Sequence, residues 1–253
     1  MNETVNARRL ALLIDADNAS PAIINGLLSE ISKFGVLTVK RIYGDWTTPN
    51  LGGWKSTLLD HSITPIQQFR YTVGKNATDT AMIIDAMDIH YGGKVDGFCL
   101  VSSDSDFTRL ASRLRESGLV VYGFGERKTP SAFVSACDKF TFVDILTDPR
   151  KGPKGESKDA AENLKGDTVL MNLLRTAIEA STDEGGWANL GSVGKQISSQ
   201  KPDFDPRHWG FSKLSSLIEA INLFEVRREA KGTQGHTEVY VRNIKQQRSG
   251  RRR

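Results

Sequence analysis

GFCLVSSDSDFTRLASRLRESGLVVYGFG, residues 97–125, carries the decisive pattern. Four apolar residues, Phe98 to Val101, run into the polar and acidic turn Ser102-Ser103-Asp104-Ser105-Asp106. A helical stretch follows and closes on Gly118, since glycine accepts the left-handed backbone that ends a helix. The next apolar run, LVVYGFG, begins at once. Strand, helix and strand in close succession form the repeating unit of a sheet whose faces are covered by helices.

Reading outward, the same alternation recurs about five times. Upstream, RLALLI (Arg9 to Ile14) is a short buried-strand pattern followed immediately by Asp15. PAIINGLLSEISKF has helical spacing, with Pro21 in its first turn and Ser20 as N-cap. VLTVKRIY reads as a strand, NLGGWKSTLLDHS as a helix and TPIQQFRY as another strand. Ala77 to Tyr91 forms an amphipathic helix whose apolar side is Ile83, Ala86, Met87 and His90/Tyr91. Downstream, SAFVSACDK and a short FVDIL complete the series. The expected fold is α/β, a parallel sheet flanked by helices, with ligands outside the carboxyl ends of its strands. Asp15 and Asp104 both fall at such ends.

From Asp148 to Gly166 the composition turns to Gly, Pro, Lys and Glu, as in a linker. Beyond it lie the helices TVLMNLLRTAIEAS, LGSVGKQISSQ and GFSKLSSLIEAIN, then the strand-like runs LFEVRREA and TEVYVRN. Three helices and a β-wing make a winged-helix arrangement, with Trp209, Phe211, Leu214 and Leu217 as core. The expected boundaries are 1–148 for the first domain, 149–166 for the linker, 167–243 for the second domain and 244–253 for a basic tail.

The 253 residues are 38% hydrophobic and 25% charged, a soluble, globular balance. No run approaches the roughly 18 apolar residues of a membrane span, and the N-terminus lacks the pattern of an export signal. Cys99 and Cys137 neither frame a disulfide scaffold nor supply a zinc site, which fits a reducing cytoplasm. Residues 1–148 hold 15 Lys+Arg against 17 Asp+Glu, whereas residues 149–253 hold 19 against 13. The second half therefore suits a polyanion better, and its tail KQQRSGRRR reads either as an anion-binding arm or as a solubilising end.

The first half gathers carboxylates: Asp15 with Asp17, Asp79 with Asp85, and Asp104 with Asp106. A single Asp after a strand usually caps the next helix. Several at one sheet edge, without balancing bases, repel one another at a cost that a bound cation removes. Hard oxygen ligands in this number suit Mg²⁺ or Mn²⁺, ions that polarise a phosphodiester and activate water.

LLIDADNAS, KNATDTAMIIDAMD and LVSSDSDFTRLASRLRESGLVVYGFG resemble, in order and spacing, the signature segments of NYN domains, a branch of the PIN-like nucleases. The resemblance spans residues 9–147. FDPRHWGFSKLSSLIEAINLFEVRR, from Phe204, resembles an OST-HTH (LOTUS) domain over residues 167–243. The pairing is similar to a bacterial one associated with RNA metabolism. The first resemblance implies a PIN-like, Rossmann-type fold and a metal-dependent nuclease, an endoribonuclease, with Asp15, Asp79 and Asp104 as metal ligands. Asp106 is implied as a fourth acid, direct or through water. Asn18 and Ser102 match supporting positions, and Asp85 a family acid in an outer, supporting place. Asp17 stands where many relatives carry a small residue and is given no role; Ser103 replaces a family glycine.

For substrate contact, Lys75 could meet a phosphate and Tyr43 and Trp46 could stack on a base. In the second domain Arg207, His208, Lys213, Arg227 and Arg228 could hold phosphates of single-stranded, structured or G-rich RNA. The OST-HTH resemblance also leaves open a homodimer or a protein partner.

Two rivals stand beside the ribonuclease. A haloacid-dehalogenase-type phosphatase would use Asp15 as nucleophile and Asp17 as acid/base, but it leaves Asp79 without a task. A catalytically inactive RNA-binding adaptor would keep the fold and lose the chemistry.

Overall fold

The computed structural model describes residues 7–69, 77–147, 164–231 and 236–244. Two compact units divide the chain, Met1–Pro149 and Arg150–Arg253. The stretch 148–163 and the tail from Lys245 lie outside the described residues.

In the first unit the alternation read from the sequence becomes β1 (Arg9–Asp15), α1 (Ile24–Ile31), β2 (Val36–Gly44), α2 (Lys55–Asp60), β3 (Thr64–Gln67) and α3 (Ala77–Tyr91). It continues with β4 (Gly97–Val101), α4 (Thr108–Glu116), β5 (Val120–Gly125), α5 (Ser131–Ala136), β6 (Lys139–Phe142) and α6 (Asp144–Thr147). Short 3-10 turns open several helices; at Pro21–Ile23 the Ser20 hydroxyl accepts from the Ala22 amide at 3.3 Å.

The strands form one sheet in the order β3-β2-β1-β4-β5-β6, and every pairing is parallel. Alternation along β1 sends Ala11 and Leu13 to one face, where α3, α4 and α5 cover them. Leu10, Leu12 and Ile14 go to the other face, under α1, α2 and α6. The chain order reverses between β1 and β4. At such a switch point the crossovers leave in opposite directions and open a crevice at the carboxyl ends of the strands. Asp15 and the Ser102–Asp106 turn sit at that edge.

Two expectations need correction. Among the described residues of TPIQQFRY, which end at Phe69, strand covers Thr64–Gln67. The Gln67 side chain turns aside there to donate to Asp45 at 2.9 Å and accept from the Trp46 amide at 2.9 Å. On α3 the buried stripe is Met82 and Ala86, with Ile83, Met87 and Ile89 partly covered, while Tyr91 is 72% exposed. The helix is apolar around much of its girth, so its periodicity selects a face poorly.

The second unit holds α7 (Thr168–Ala180), β7 (Ala188–Asn189), α8 (Leu190–Gln200), α9 (Leu214–Ile221), β8 (Phe224–Lys231) and β9 (His236–Asn243). Asp167 caps α7, its Oδ1 accepting from the Leu170 amide at 2.9 Å. The strands pair antiparallel in the order β7-β9-β8. Leu217 is fully buried, and Trp209, Phe211 and Leu214 pack against the same core. Leu164, in the stretch read as linker, is buried there too.

Gly26 brings α1 against α6: a Cβ built at that position would lie 2.2 Å from the carbonyl oxygen of Leu146. Gly26→Ala should destabilise the first unit by about 1–3 kcal/mol, the usual cost of overpacking. Chemical denaturation of the full chain checks it; an unchanged midpoint would contradict the close crossing.

Candidate active site

Asp15 ends β1 and is fully buried. Its Oδ2 accepts from the Asn18 amide at 2.6 Å and the Ser102 hydroxyl at 2.9 Å, and its Oδ1 from the Asp17 backbone N–H at 3.0 Å. Burial raises its pKa, and these three donors oppose the rise. Ser102, at the end of β4, does two things: it donates to Asp15 and accepts from the Asp104 amide at 3.1 Å. The ends of the two central strands are tied together through that hydroxyl.

Asp104 caps the 3-10 turn Ser105–Phe107, its Oδ1 accepting from the Asp106 amide at 2.9 Å. Asp79 lies in the first turn of α3 and is mostly buried. One carboxylate oxygen from each of Asp79, Asp104 and Asp106 lies within 4.8 Å of the others. Burial, then the charges of Asp15, Asp104, Asp106 and Asp17, push the Asp79 carboxyl up to about 6. Asp17 is exposed, and its Oδ2 accepts from the Thr78 hydroxyl at 3.5 Å, linking the β1 turn to the start of α3.

Asp85 faces another way. Arg41 and the Tyr43 hydroxyl, both on β2, bond to its two oxygens. Six residues after Asp79, it is turned about 120° around the helix. Tyr43 is therefore not available to a base: its ring is fully buried between sheet and α3, and its hydroxyl is spent on Asp85. Trp46 is half-buried, its indole N–H donating to the Ile66 carbonyl at 3.0 Å. Lys75 lies outside the described residues. Ser103, where the sequence departs from the family glycine, uses its hydroxyl to accept from the Glu126 amide at 2.9 Å.

Arg207 is engaged by Asp205 through Nε at 2.9 Å and Nη2 at 2.6 Å. His208 lies against Trp209, their ring centroids 6.1 Å apart. Lys213 is exposed just before α9. Arg227 and Arg228 do not form one patch. Neighbours in a strand leave it on opposite faces: Arg227 pairs with Glu229 at 2.9 Å and Arg228 with Glu219 of α9 at 2.6 Å. Sequence reading missed Trp187 and Tyr240, which stand close to Arg227, and Arg242, which stands close to Trp187.

A parallel sheet in this order, flanked by helices and bearing acids at its switch point, fits the PIN-like α/β fold. Residues 9–146 match the NYN domain, more than half of the chain, and the chain belongs to the NYN family. Residues 164–236 match the OST-HTH/LOTUS domain. None of the curated proteins matches. Similar solved structures include a protein of unknown function from Vibrio parahaemolyticus, 19% identical, covering 56% of this chain and 96% of its own, at a TM-score of 0.48. Another is an uncharacterized protein from Nitrosomonas europaea, 35% identical over 29% of this chain and 70% of its own, at a TM-score of 0.26.

The raised Asp79 carboxyl has a sign to test. Its folded pKa of about 6 exceeds the ordinary 3.8, so the folded state binds the extra proton between those values. Stability should therefore fall as pH rises through that window when divalent metal is chelated. Asp79→Asn should remove part of that fall. Thermal melts of both proteins in EDTA between about pH 4 and pH 7 compare the two slopes; identical slopes would contradict the shift.

Proposed function

We propose that the first unit is a divalent-metal-dependent endoribonuclease and that the second unit holds RNA for it. The observation that carries the reading is the convergence of Asp79, Asp104 and Asp106 within 4.8 Å, with a buried Asp15 close enough to raise the Asp79 pKa. Carboxylates held that close repel by roughly 4 kcal/mol per pair at an effective dielectric near 20. A hard cation, Mg²⁺ or Mn²⁺, suits an all-oxygen set of this kind.

Asp79, Asp104 and Asp106 would hold the ion. Asp15 would back them through Oδ1, the oxygen that keeps a lone pair after the Asp17 amide is satisfied. When bound, such an ion polarises the phosphodiester and lowers the pKa of attacking water. The chain's own part is placement. Ser102 fixes Asp15 and the backbone of Asp104 with one hydroxyl, Asn18 holds the other side of Asp15, and the Arg41–Asp85–Tyr43 network pins α3 to β2 so that Asp79 keeps its position.

The phosphatase reading leaves Asp79 without a task, although its carboxylate stands with those of Asp104 and Asp106. The inactive-adaptor reading gains no observation of its own, as every acid expected from the family segments is present.

Single-turnover cleavage of a fixed RNA with Mn²⁺ tests the proposal. Asp79→Asn and Asp104→Asn should each slow it by more than about 100-fold, since each removes charge from the site that organises the transition state. Near-parental rates in both would sink the assignment. Melts supply a second readout. Asp104→Asn should be the more heat-stable protein in EDTA and the less stable one in Mn²⁺, because the parent alone gains the full binding energy.

A further inference from the structure

The antiparallel sheet of the second unit has two unlike faces. Phe224, Val226, Val241 and Ala188 point into the helical core, so the alternate residues face outward. Register places Glu225 opposite Arg242 and Arg227 opposite Tyr240. Trp187 precedes Ala188, whose partner is Val241, and so stands beside Arg242 at the next position. The guanidinium carbons of Arg227 and Arg242 each lie 4.5 Å from the centre of the Trp187 ring, and that of Arg227 lies 5.4 Å from the Tyr240 ring.

The layer is pre-ordered. A turn closed by Asp183 holds the Trp187 backbone, the Asp183 amide donating to the Trp187 carbonyl at 2.9 Å and the Trp187 amide to the Asp183 carboxylate at 3.0 Å. Glu229 meets Arg227 at 2.9 Å and Glu225 meets the Arg242 Nε at 2.7 Å. A carboxylate bonds a guanidinium along its edge and leaves its flat faces for π contact. Both arginines remain open to solvent, with side chains 46% and 43% exposed.

We propose that this outer face of β7, β9 and β8 binds unpaired RNA bases by stacking them on the layer formed by Trp187, Arg227, Arg242 and Tyr240. The inference rests on the reading of the second unit as RNA-binding and specifies how it binds. Guanidinium planes and aromatic rings stack on any base, each base contributing enough to change affinity about tenfold or more. Because Glu225 and Glu229 already neutralise the two arginines, the face attracts phosphates weakly. Its contribution is to bases, and a duplex, whose bases are stacked on one another, gains nothing from it.

The test measures binding of the full chain, in EDTA so that metal-dependent cutting is suppressed, to a labelled RNA without self-complementarity and to a blunt RNA duplex, over a range of salt. Replacing Arg227→Lys and Arg242→Lys together keeps both charges and removes both planes. This variant should bind the unpaired strand about tenfold more weakly, leave duplex binding unchanged, and keep the parental slope of affinity against salt. Trp187→Ala should do the same, with a thermal melt to show that it folds; the lysine pair keeps the test sound if it does not. Parental affinity of the lysine pair for the unpaired strand, within about twofold, overturns the proposal and leaves the face to a protein partner. Equal losses on strand and duplex also overturn it, since they would mean phosphate contact. A parent that binds neither RNA at low salt overturns the RNA-binding reading itself, and this inference with it.

Discussion

Asp15 keeps a carboxylate out of water at the end of the central strand, a placement costly unless the charge is hydrogen-bonded. Its three donors come from two places: Asp17 and Asn18 in the turn that leaves β1, and Ser102 at the end of β4. Satisfying this one group therefore fixes the turn and ties the two strands at the point where the sheet order reverses. The Ser102 hydroxyl, having donated to Asp15, is oriented to accept from the Asp104 amide. The Asp104 side chain in turn accepts from Asp106 and starts the turn into α4. Each acid of the cluster beyond β1, except Asp79, is placed by this chain of hydrogen bonds.

Asp79 arrives from α3 by a different route. Its helix is held to β2 by Asp85, whose oxygens are taken by Arg41 and Tyr43. Asp85 is paired with Arg41 on one face of the helix, whereas on another face burial, and then the charges of Asp15, Asp104, Asp106 and Asp17, raise the Asp79 pKa. Both carboxylates are named in the family pattern, yet the helix period alone separates their surroundings.

The fold was legible because strand and helix alternate with clear stops, as at Gly118, and because β1 and β4 bury both faces and read as unbroken apolar runs. Two of the three acidic segments were legible for the same reason, lying next to those runs, while the third, with Asp79 and Asp85, lies within α3. What the sequence hid was the direction of single side chains. Tyr43 in RIYGDW looks like a surface aromatic until the strand's alternation is known; it belongs to the buried set with Ala11 and Leu13. Arg227 and Arg228 look like one basic pair, and the same alternation separates them. Trp187 gave no signal at all, since it lies in a turn and meets Arg227 and Arg242 only through strand pairing across many residues.

Charge gives the two units different work under the nuclease reading. A site built of Asp15, Asp79, Asp104 and Asp106 repels a polyanion until a cation is bound, and residues 1–148 as a whole carry more acids than bases. Long-range attraction cannot come from that half. Residues 149–253, with 19 Lys+Arg against 13 Asp+Glu, can provide it. Yet the arginines best placed on the second unit's sheet are already paired with glutamates, and Arg207 with Asp205. Steering by net charge and recognition by shape are then carried by different residues: unspecific attraction by lysines such as Lys213, and discrimination between stacked and unstacked bases by planar groups whose charge is already balanced.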